Sequence, residues 1–312
     1  MSCPRAIVTA CLALIFTACL AVPSTAQLVN GDAETGSLAP WTPDLSGASS
    51  GNSSIIKSVT TQVQTAPPVF PSAGARFFSF ATQVAGPAGA FVSMRQTAPL
   101  TSPPPVLALT GRIQTEFGDF GDVLLEILDA GGAVISSATV EDLVSDLTWS
   151  GFFVDVDVPA AAAQCRVTLT GTVVTGMAVN VFWDELTLGA SPWSLVGPGL
   201  AGTLGVPVIE GSGPLVGDEP FSIALDGAAT NTTAWFVLGL SALSAPFKFG
   251  VMVPHPDLVV PLPTGPDGAL LLPGTWPAGV PSGVSIWAQW WILDGAAPLG
   301  FASTRGLRGT TP

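Results

Sequence analysis

The stretch Val154-Asp155-Val156-Asp157-Val158 alternates apolar and acidic side chains without a break. Successive side chains of a β-strand point to opposite faces, so this pattern predicts a strand with one face on a core and the other in water. The same period of two follows at Cys165, Val167 and Leu169, which would share the inward face of a second strand. No stretch of ten residues shows a convincing helical period.

Further segments with the same period extend this interpretation along the chain. The turn Ala130-Gly131-Gly132 predicts a hairpin, because glycine adopts positive φ without steric cost. Short, regularly spaced strands are typical of a sandwich, so we expect an all-β protein whose N-terminal part is a jelly-roll β-sandwich. The predicted strands of this part are 53–63, 75–84, 106–115, 123–129, 148–158, 164–173 and 179–188.

The composition agrees with this fold class and excludes several functions. The 312 residues include 35 Gly and 29 Pro, which suits many strands joined by turns. The formal net charge of −13 repels nucleic acid and anionic lipid, so neither is an expected partner. Beyond the N-terminus no uninterrupted apolar run is long enough to span a bilayer.

The N-terminus has the features of a secretory signal peptide, residues 1–26. Arg5 supplies the positive charge, residues 6–22 are apolar, and Ser24-Thr25-Ala26 places small residues before the cleavage point. The alternative is a lipoprotein signal ending at Cys19. We expect a protein that is secreted or held at the cell surface. After cleavage Cys165 would be the only cysteine, which leaves no intramolecular disulfide and suggests a buried apolar role.

A change of composition near Gly189 divides the chain into two predicted domains, 27–190 and 191–312. Ala190-Ser191-Pro192 leads into the Gly/Pro-rich segment Gly197-Pro198-Gly199. The second domain is predicted to be a smaller, Ig-like β-sandwich. Its predicted strands are 220–225, 234–240, 248–253, 269–272 and 284–293.

The first domain resembles the galactose-binding-like jelly roll of bacterial carbohydrate-binding modules. The resemblance covers Gln27 to Ala190 and rests on its two ends. It opens with Leu28-Val29-Asn30-Gly31-Asp32-Ala33-Glu34-Thr35-Gly36 followed by Trp41, and closes with Val181-Phe182-Trp183-Asp184-Glu185-Leu186-Thr187-Leu188. It implies a jelly roll and a polysaccharide or envelope glycan as the partner, although such folds also serve as structural modules.

The same resemblance implies a structural calcium ion between the first and last strands. Carried over by position, its ligands would be Glu34, Asp184 and backbone carbonyls near Asn30, an oxygen set that suits Ca²⁺. Ala33 and Glu185 depart from the family pattern without removing these ligands. The alternative is that Glu34 and Asp184 only stabilise turns.

The second domain resembles an uncharacterised C-terminal β-domain of secreted bacterial proteins. That resemblance implies no activity and suggests a general surface or sorting module. It rests on Gly239-Leu240-Ser241-Ala242, Ala245-Pro246-Phe247-Lys248, Gly274-Thr275-Trp276-Pro277-Ala278-Gly279, Trp290-Trp291-Ile292-Leu293-Asp294 and Gly300-Phe301-Ala302-Ser303.

The residues offer little for catalysis, and we expect no enzyme activity. His255, the only histidine, lies between two prolines and is interpreted as an exposed loop residue. Glu116, Asp119 and Asp122 are interpreted first as a solvated turn, next as a second calcium loop and last as the carboxylate pair of a glycosidase.

Aromatic residues are the candidates for sugar binding. Phe117 and Phe120 lie in the acidic loop, and Trp287 and Trp291 share one face of a strand whose two faces are both apolar. Core burial of that strand is the competing interpretation. The preferred function is a non-catalytic carbohydrate-binding or surface-associated protein; the alternatives are a structural or adhesive protein without a glycan ligand, and a carboxylate-dependent hydrolase.

Overall fold

Residues 28–44, 57–60, 62, 68–80, 82–83, 88–175 and 178–312 are described by a computed structural model. The predicted signal peptide lies outside the described residues. The first part of the chain forms twelve strands in the described residues: β1 Thr42–Asp44, β2 Lys57–Thr60, β3 Phe77–Ser79, β4 Thr82–Gln83, β5 Phe91–Pro99, β6 Val106–Thr115, β7 Phe120–Leu128, β8 Val134–Leu143, β9 Ser150–Asp157, β10 Gln164–Thr172, β11 Ala178–Val179 and β12 Val181–Ala190.

Two five-stranded antiparallel sheets make up most of this part. The front sheet has the order β1-β5-β10-β7-β8, and the back sheet has the order β2-β3-β12-β6-β9; β4 and β11 pair separately. Alternate residues of both sheets point into one shared core, which includes Met94, Leu125 and Leu169 from the front and Leu109 and Trp183 from the back. The expected all-β sandwich is therefore present.

Two glycines of the front sheet show which of the sheet's side chains face the core. A Cβ on Gly121 would lie 2.6 Å from Ile113 Cδ1, and a Cβ on Gly171 would lie 2.8 Å from Val179 Cγ1, so both positions face the core. Their neighbours Phe120 and Thr172 must then face outward, because side chains alternate along a strand. Cys165 is buried as predicted, and burial raises the pKa of its thiol to about 11.

The second part of the chain is also built of strands. They are β13 Trp193–Val196, β14 Val208–Ser212, β15 Pro220–Asp226, β16 Thr233–Gly239, β17 Ala242–Phe247, β18 Gly250–Pro254, β19 Leu258–Pro263, β20 Leu270–Thr275, β21 Ser285–Leu293, β22 Phe301–Ser303 and β23 Gly306–Thr310, with a 3-10 turn at Pro298–Gly300. One sheet has the order β13-β23-β21-β16-β19 with β22 beside β21; β14-β15-β20 form a second sheet, and β17-β18 form a hairpin. The Ig-like assignment stays a prediction.

Strand β21 is buried on both faces. Trp290 and Ile292 belong to the main apolar cluster of the second unit, whereas Trp291 packs with Val237 and Met252 on the other face of the same sheet. This confirms core burial as the explanation of its two apolar faces. Among the described residues, no helix has the length and apolar character needed to cross a membrane.

The second unit lies against the back sheet. Phe153 of β9 packs on the apolar cluster of the second unit, and Arg112 of β6 contacts Glu219. The outer face of the front sheet therefore lies on the opposite side of the sandwich.

Candidate functional site

A cross-strand row of two aromatic rings lies on the outer face of the front sheet. Thr172 of β10 is directly opposite Phe91 of β5 on one side and Phe120 of β7 on the other. Neighbouring strands lie about 4.8 Å apart, so the Cα atoms of the two phenylalanines are separated by about 10 Å. Phe91 is 36% exposed and Phe120 is half-buried, so both rings are partly accessible, while Thr172 between them is buried.

Polar side chains continue this face along the same three strands. Thr170 is opposite Asp122, and Thr168 is opposite Arg95. Burial raises the pKa of Asp122, although its Oδ1 accepts a hydrogen bond from the Asp142 amide at 2.9 Å. The face therefore carries hydrogen-bonding groups next to the aromatic row.

A bidentate ion pair borders this polar region. Arg166 Nε lies 2.6 Å from Glu126 Oε2, and Arg166 Nη2 lies 2.9 Å from Glu126 Oε1. The two residues are directly opposite on β10 and β7 and face outward. Two parallel hydrogen bonds between a guanidinium and a carboxylate hold both side chains in one geometry. We call the surface formed by Phe91, Thr172, Phe120 and these polar residues the front face.

The other aromatic candidates lie elsewhere. Phe117, at φ 59° in the loop before β7, is 61% exposed, and its carbonyl accepts a hydrogen bond from Thr175 Oγ. Trp287 is half-buried in the second unit. Trp291 is buried, its ring meets that of Phe247 edge-on at 4.9 Å between centroids, and it presents no open face to solvent. Phe117 thus lies in the loop before β7 and Phe120 at the start of that strand, whereas Trp287 and Trp291 both lie in β21 of the second unit.

The interpretation of the acidic loop as a solvated turn is wrong for two of its three carboxylates. Glu116 and Asp119 are buried, at 1% and 0% exposure. Asp119 accepts hydrogen bonds from the amides of Val174 and Asn180, both at 2.8 Å. It therefore ties the loop before β7 to the segment that precedes β12, and the loop is a packed junction.

Asn30 organises the turn that enters the first sandwich. At φ 57°, its side-chain amide donates to the Ser37 carbonyl at 2.7 Å, and its own carbonyl accepts from Trp41 Nε1 at 3.2 Å. Gly31 follows at a position where a Cβ would lie 2.1 Å from the Leu186 carbonyl oxygen. The opening motif is thus fastened to β12, as the resemblance implies.

The predicted calcium ligands Glu34 and Asp184 both hold the loop 72–76. Glu34 Oε1 accepts from the amides of Ala75 and Arg76 at 2.7 and 2.8 Å. Asp184 Oδ2 accepts from the amide of Ser72 at 2.9 Å. Burial raises the pKa of Asp184 to about 6.

This donor set falls short of what calcium takes. Calcium takes six to eight oxygens, whereas Asp184 already accepts amide hydrogens at both of its oxygens. The described residues include no group of three or more His, Cys, Asp or Glu side chains able to hold an ion. Calcium stays a prediction.

A cleft between the back sheet and the second unit was not foreseen from the sequence. Its volume is about 470 Å³, and its charged residues are Arg112, Glu185 and Glu219. Arg112 Nε lies 2.9 Å from Glu185 Oε2, and Arg112 Nη2 contacts Glu219 Oε1. Glu185 reaches Arg112 from a β-bulge in β12, where its own φ is 52°. Arg112 and Glu219 are 107 residues apart, so no local pattern could have joined them.

Comparison with known proteins gives structural matches of low sequence identity. No family model matches the sequence, and no curated protein is significantly similar to it. Among solved structures, TmCBM61 in complex with beta-1,4-galactotriose is 20% identical with a TM-score of 0.35, covering 54% of this chain and all of that one. The CBM22-1-CBM22-2 tandem domain from Paenibacillus barcinonensis Xyn10C is 12% identical with a TM-score of 0.35, covering 93% and 91%.

The enzymatically active domain of tailspike protein 4 from bacteriophage CBA120 is 14% identical with a TM-score of 0.39; the match covers 54% of this chain but only 22% of that one. The matches to single bacterial carbohydrate-binding modules each cover about half of this chain. The C-terminal unit is not assigned by these likenesses.

Proposed function

We propose that the protein is a secreted, non-catalytic carbohydrate-binding protein that holds a polysaccharide on its front face. The observation that carries this proposal is the row Phe91–Thr172–Phe120, in which two partly exposed rings flank a threonine on the strand between them. Aromatic rings offer a large apolar surface on which the C–H faces of sugar rings can stack. The neighbouring polar side chains supply the hydrogen bonds that fix a sugar's orientation.

The spacing of the row supports a polymer as the ligand. Two rings about 10 Å apart can each contact a different sugar of one chain. The row of rings lies across the strands, and the polar side chains of Asp122, Thr170 and Arg95 continue the face along the strands. A polysaccharide that crosses the strands along the row would therefore contact both rings, with the polar side chains beside it.

The carboxylates of the cleft, as the described residues place them, are engaged in ion pairs, which supports a role without catalysis. A glycosidase needs one carboxyl group as a proton donor and a second as base or nucleophile. In the cleft, Glu185 and Glu219 both bind the same guanidinium. His255 pairs with Asp257 at 2.7 Å, but both are exposed, and the described residues place no hydroxyl within hydrogen-bonding distance of that ring.

A structural or adhesive role is the second candidate, favoured by one feature of the second unit. The hairpin β17–β18 and the residues beside it expose several large apolar side chains. Phe249 is 77% exposed, Leu240 71% and Leu243 45%. Exposed apolar patches of this kind are typical of interaction surfaces.

Depletion binding tests the proposal. The chain from Gln27 to Pro312, purified and shown to be folded, is mixed with insoluble polysaccharides of different backbone, and the protein left in solution is measured. We expect saturable depletion by at least one polysaccharide. Absence of depletion across the whole panel would favour the structural or adhesive role.

A further inference from the structure

The cleft behind the back sheet has the parts of a small-molecule site. One wall comes from β9, with Gly151 and the half-buried ring of Phe153; the opposite wall comes from the second unit, with Val216 and the half-buried ring of Phe221. Its volume of about 470 Å³ lies in the range of ligand pockets. It is separate from the front face, which lies on the other side of the sandwich.

The charged group in the cleft is held in place. Arg112 makes one ion pair with Glu185 of its own unit and one with Glu219 of the second unit. Ser72 Oγ donates a further hydrogen bond to Glu185 Oε2 at 2.9 Å. These contacts fix the plane of the guanidinium and use only part of its five N–H groups.

The backbone at Gly151 makes room for this arrangement. A Cβ at this position would lie 2.5 Å from Glu219 Oε2, so any larger residue would displace the carboxylate. The Phe221 ring is equally constrained, because it packs edge-on against Trp276 at 5.7 Å between centroids. The cleft therefore presents pre-organised polar and aromatic groups.

The net charge of the cleft side chains determines which class of ligand the cleft favours. Two carboxylates and one guanidinium leave a net charge of −1, which disfavours anions such as phosphates and uronates. The same three groups offer both donors and acceptors, which suits neighbouring hydroxyl groups on a sugar ring. The aromatic walls suit its C–H faces.

We propose that this cleft is a second binding site, which takes one or two rings of a neutral sugar. It differs from the front face because it is walled on two sides and accommodates a short ligand or a chain end instead of a passing polymer. The inference stands on the cleft alone and does not require the front face to bind.

Saturation-transfer NMR with D-glucose, D-galactose, D-mannose and D-xylose tests this proposal, with D-galacturonate as the anionic counterpart. We expect transfer to at least one neutral sugar and weaker transfer to galacturonate. Val216→Trp fills the cleft from a residue that is 47% exposed, so it leaves the core unchanged. We expect Val216→Trp to weaken sugar binding about tenfold or more and Val216→Ala to retain it.

The front-face variant Phe91→Ala separates this proposal from the previous one. Sugar binding that survives in Phe91→Ala and is lost in Val216→Trp supports the cleft, whatever polysaccharide depletion shows. The proposal is overturned if no neutral sugar receives transfer from the folded wild-type chain. It is also overturned if Val216→Trp binds as well as wild type.

Discussion

Replacing Gly121 with alanine tests the orientation on which the front face depends. Gly121 lies between Phe120 and Asp122 in β7, and a Cβ there would meet Ile113 Cδ1 at 2.6 Å and the Trp183 ring at 2.7 Å. Both neighbours are fully buried and cannot move into solvent. The added methyl group must therefore push the strand or the Trp183 ring out of place.

The expected magnitude is a balance of two effects. Overpacking a well-packed core costs about 1–3 kcal/mol. Replacing glycine by alanine returns about 0.4–1 kcal/mol by reducing the conformational entropy of the unfolded chain. The clash outweighs the gain, and a net loss of about 1–2 kcal/mol lowers the melting temperature of a domain of this size by about 2–8 °C.

Gly189→Ala is the matched control, because a Cβ at this strand position meets no atom within 4 Å. Thermal unfolding followed by circular dichroism should show Gly121→Ala destabilised and Gly189→Ala unchanged or slightly stabilised. Equal melting temperatures for the two variants would refute the inward orientation of Gly121. Phe120 and Asp122 could then not be assigned to the outer face.

Two further predictions concern carboxyl groups whose pKa burial raises. Burial raises the pKa of the Asp155 carboxyl above its ordinary value, so the folded state binds the carboxyl proton more tightly than the unfolded state does. The stability that this proton contributes is present at low pH and is lost as pH rises through the folded pKa. Asp155→Asn should therefore raise the melting temperature at pH 7, and its difference from wild type should shrink toward pH 4. Asp157→Asn, exposed on the same strand, should have a smaller effect, and an equal one would contradict this reasoning. If Asp184 holds calcium, calcium at about 100 times its Kd should add about 2.7 kcal/mol of stability that Asp184→Asn abolishes. Identical melting curves in calcium and in chelator would rule out the calcium prediction.

Strands with one uniform inward face were predictable from the sequence. The predicted strand 106–115 coincides with Val106–Thr115, and the predicted 164–173 nearly coincides with Gln164–Thr172. Strand β5 was missed because Gln96, a buried polar residue, occupies an inward position and breaks the apolar alternation. Gln96 is buried because it exchanges hydrogen bonds with the backbone of Val29, a contact across 67 residues.

Proline residues prevented one strand of the second unit from being predicted from the sequence. Strand β19 contains Pro261 and Pro263 and reads as a loop. It is an edge strand that pairs only with β16, so prolines are tolerated where the amide would point away from the sheet. Local pattern cannot reveal which strand will lie at an edge.

The candidate site was predictable only in part, because it depends on strand register. Phe120 was identified from its loop, but Phe91 joins it only through the pairing of both strands with Thr172. The solvated-turn interpretation of Glu116 and Asp119 failed because acidic turn residues look alike in sequence whether exposed or packed.

Polysaccharide depletion by a front-face variant tests the central proposal most directly. The double variant Phe91→Ala/Phe120→Ala is compared with wild type and with Phe249→Ala, which removes an exposed ring of the second unit. Burying a phenylalanine side chain contributes about 1.5–3 kcal/mol, so losing either ring from the complex should weaken binding at least about tenfold. We expect the double variant to lose depletion while Phe249→Ala retains it. Retained depletion in the double variant, with loss in Phe249→Ala, would contradict binding at the front face and place the glycan on the second unit.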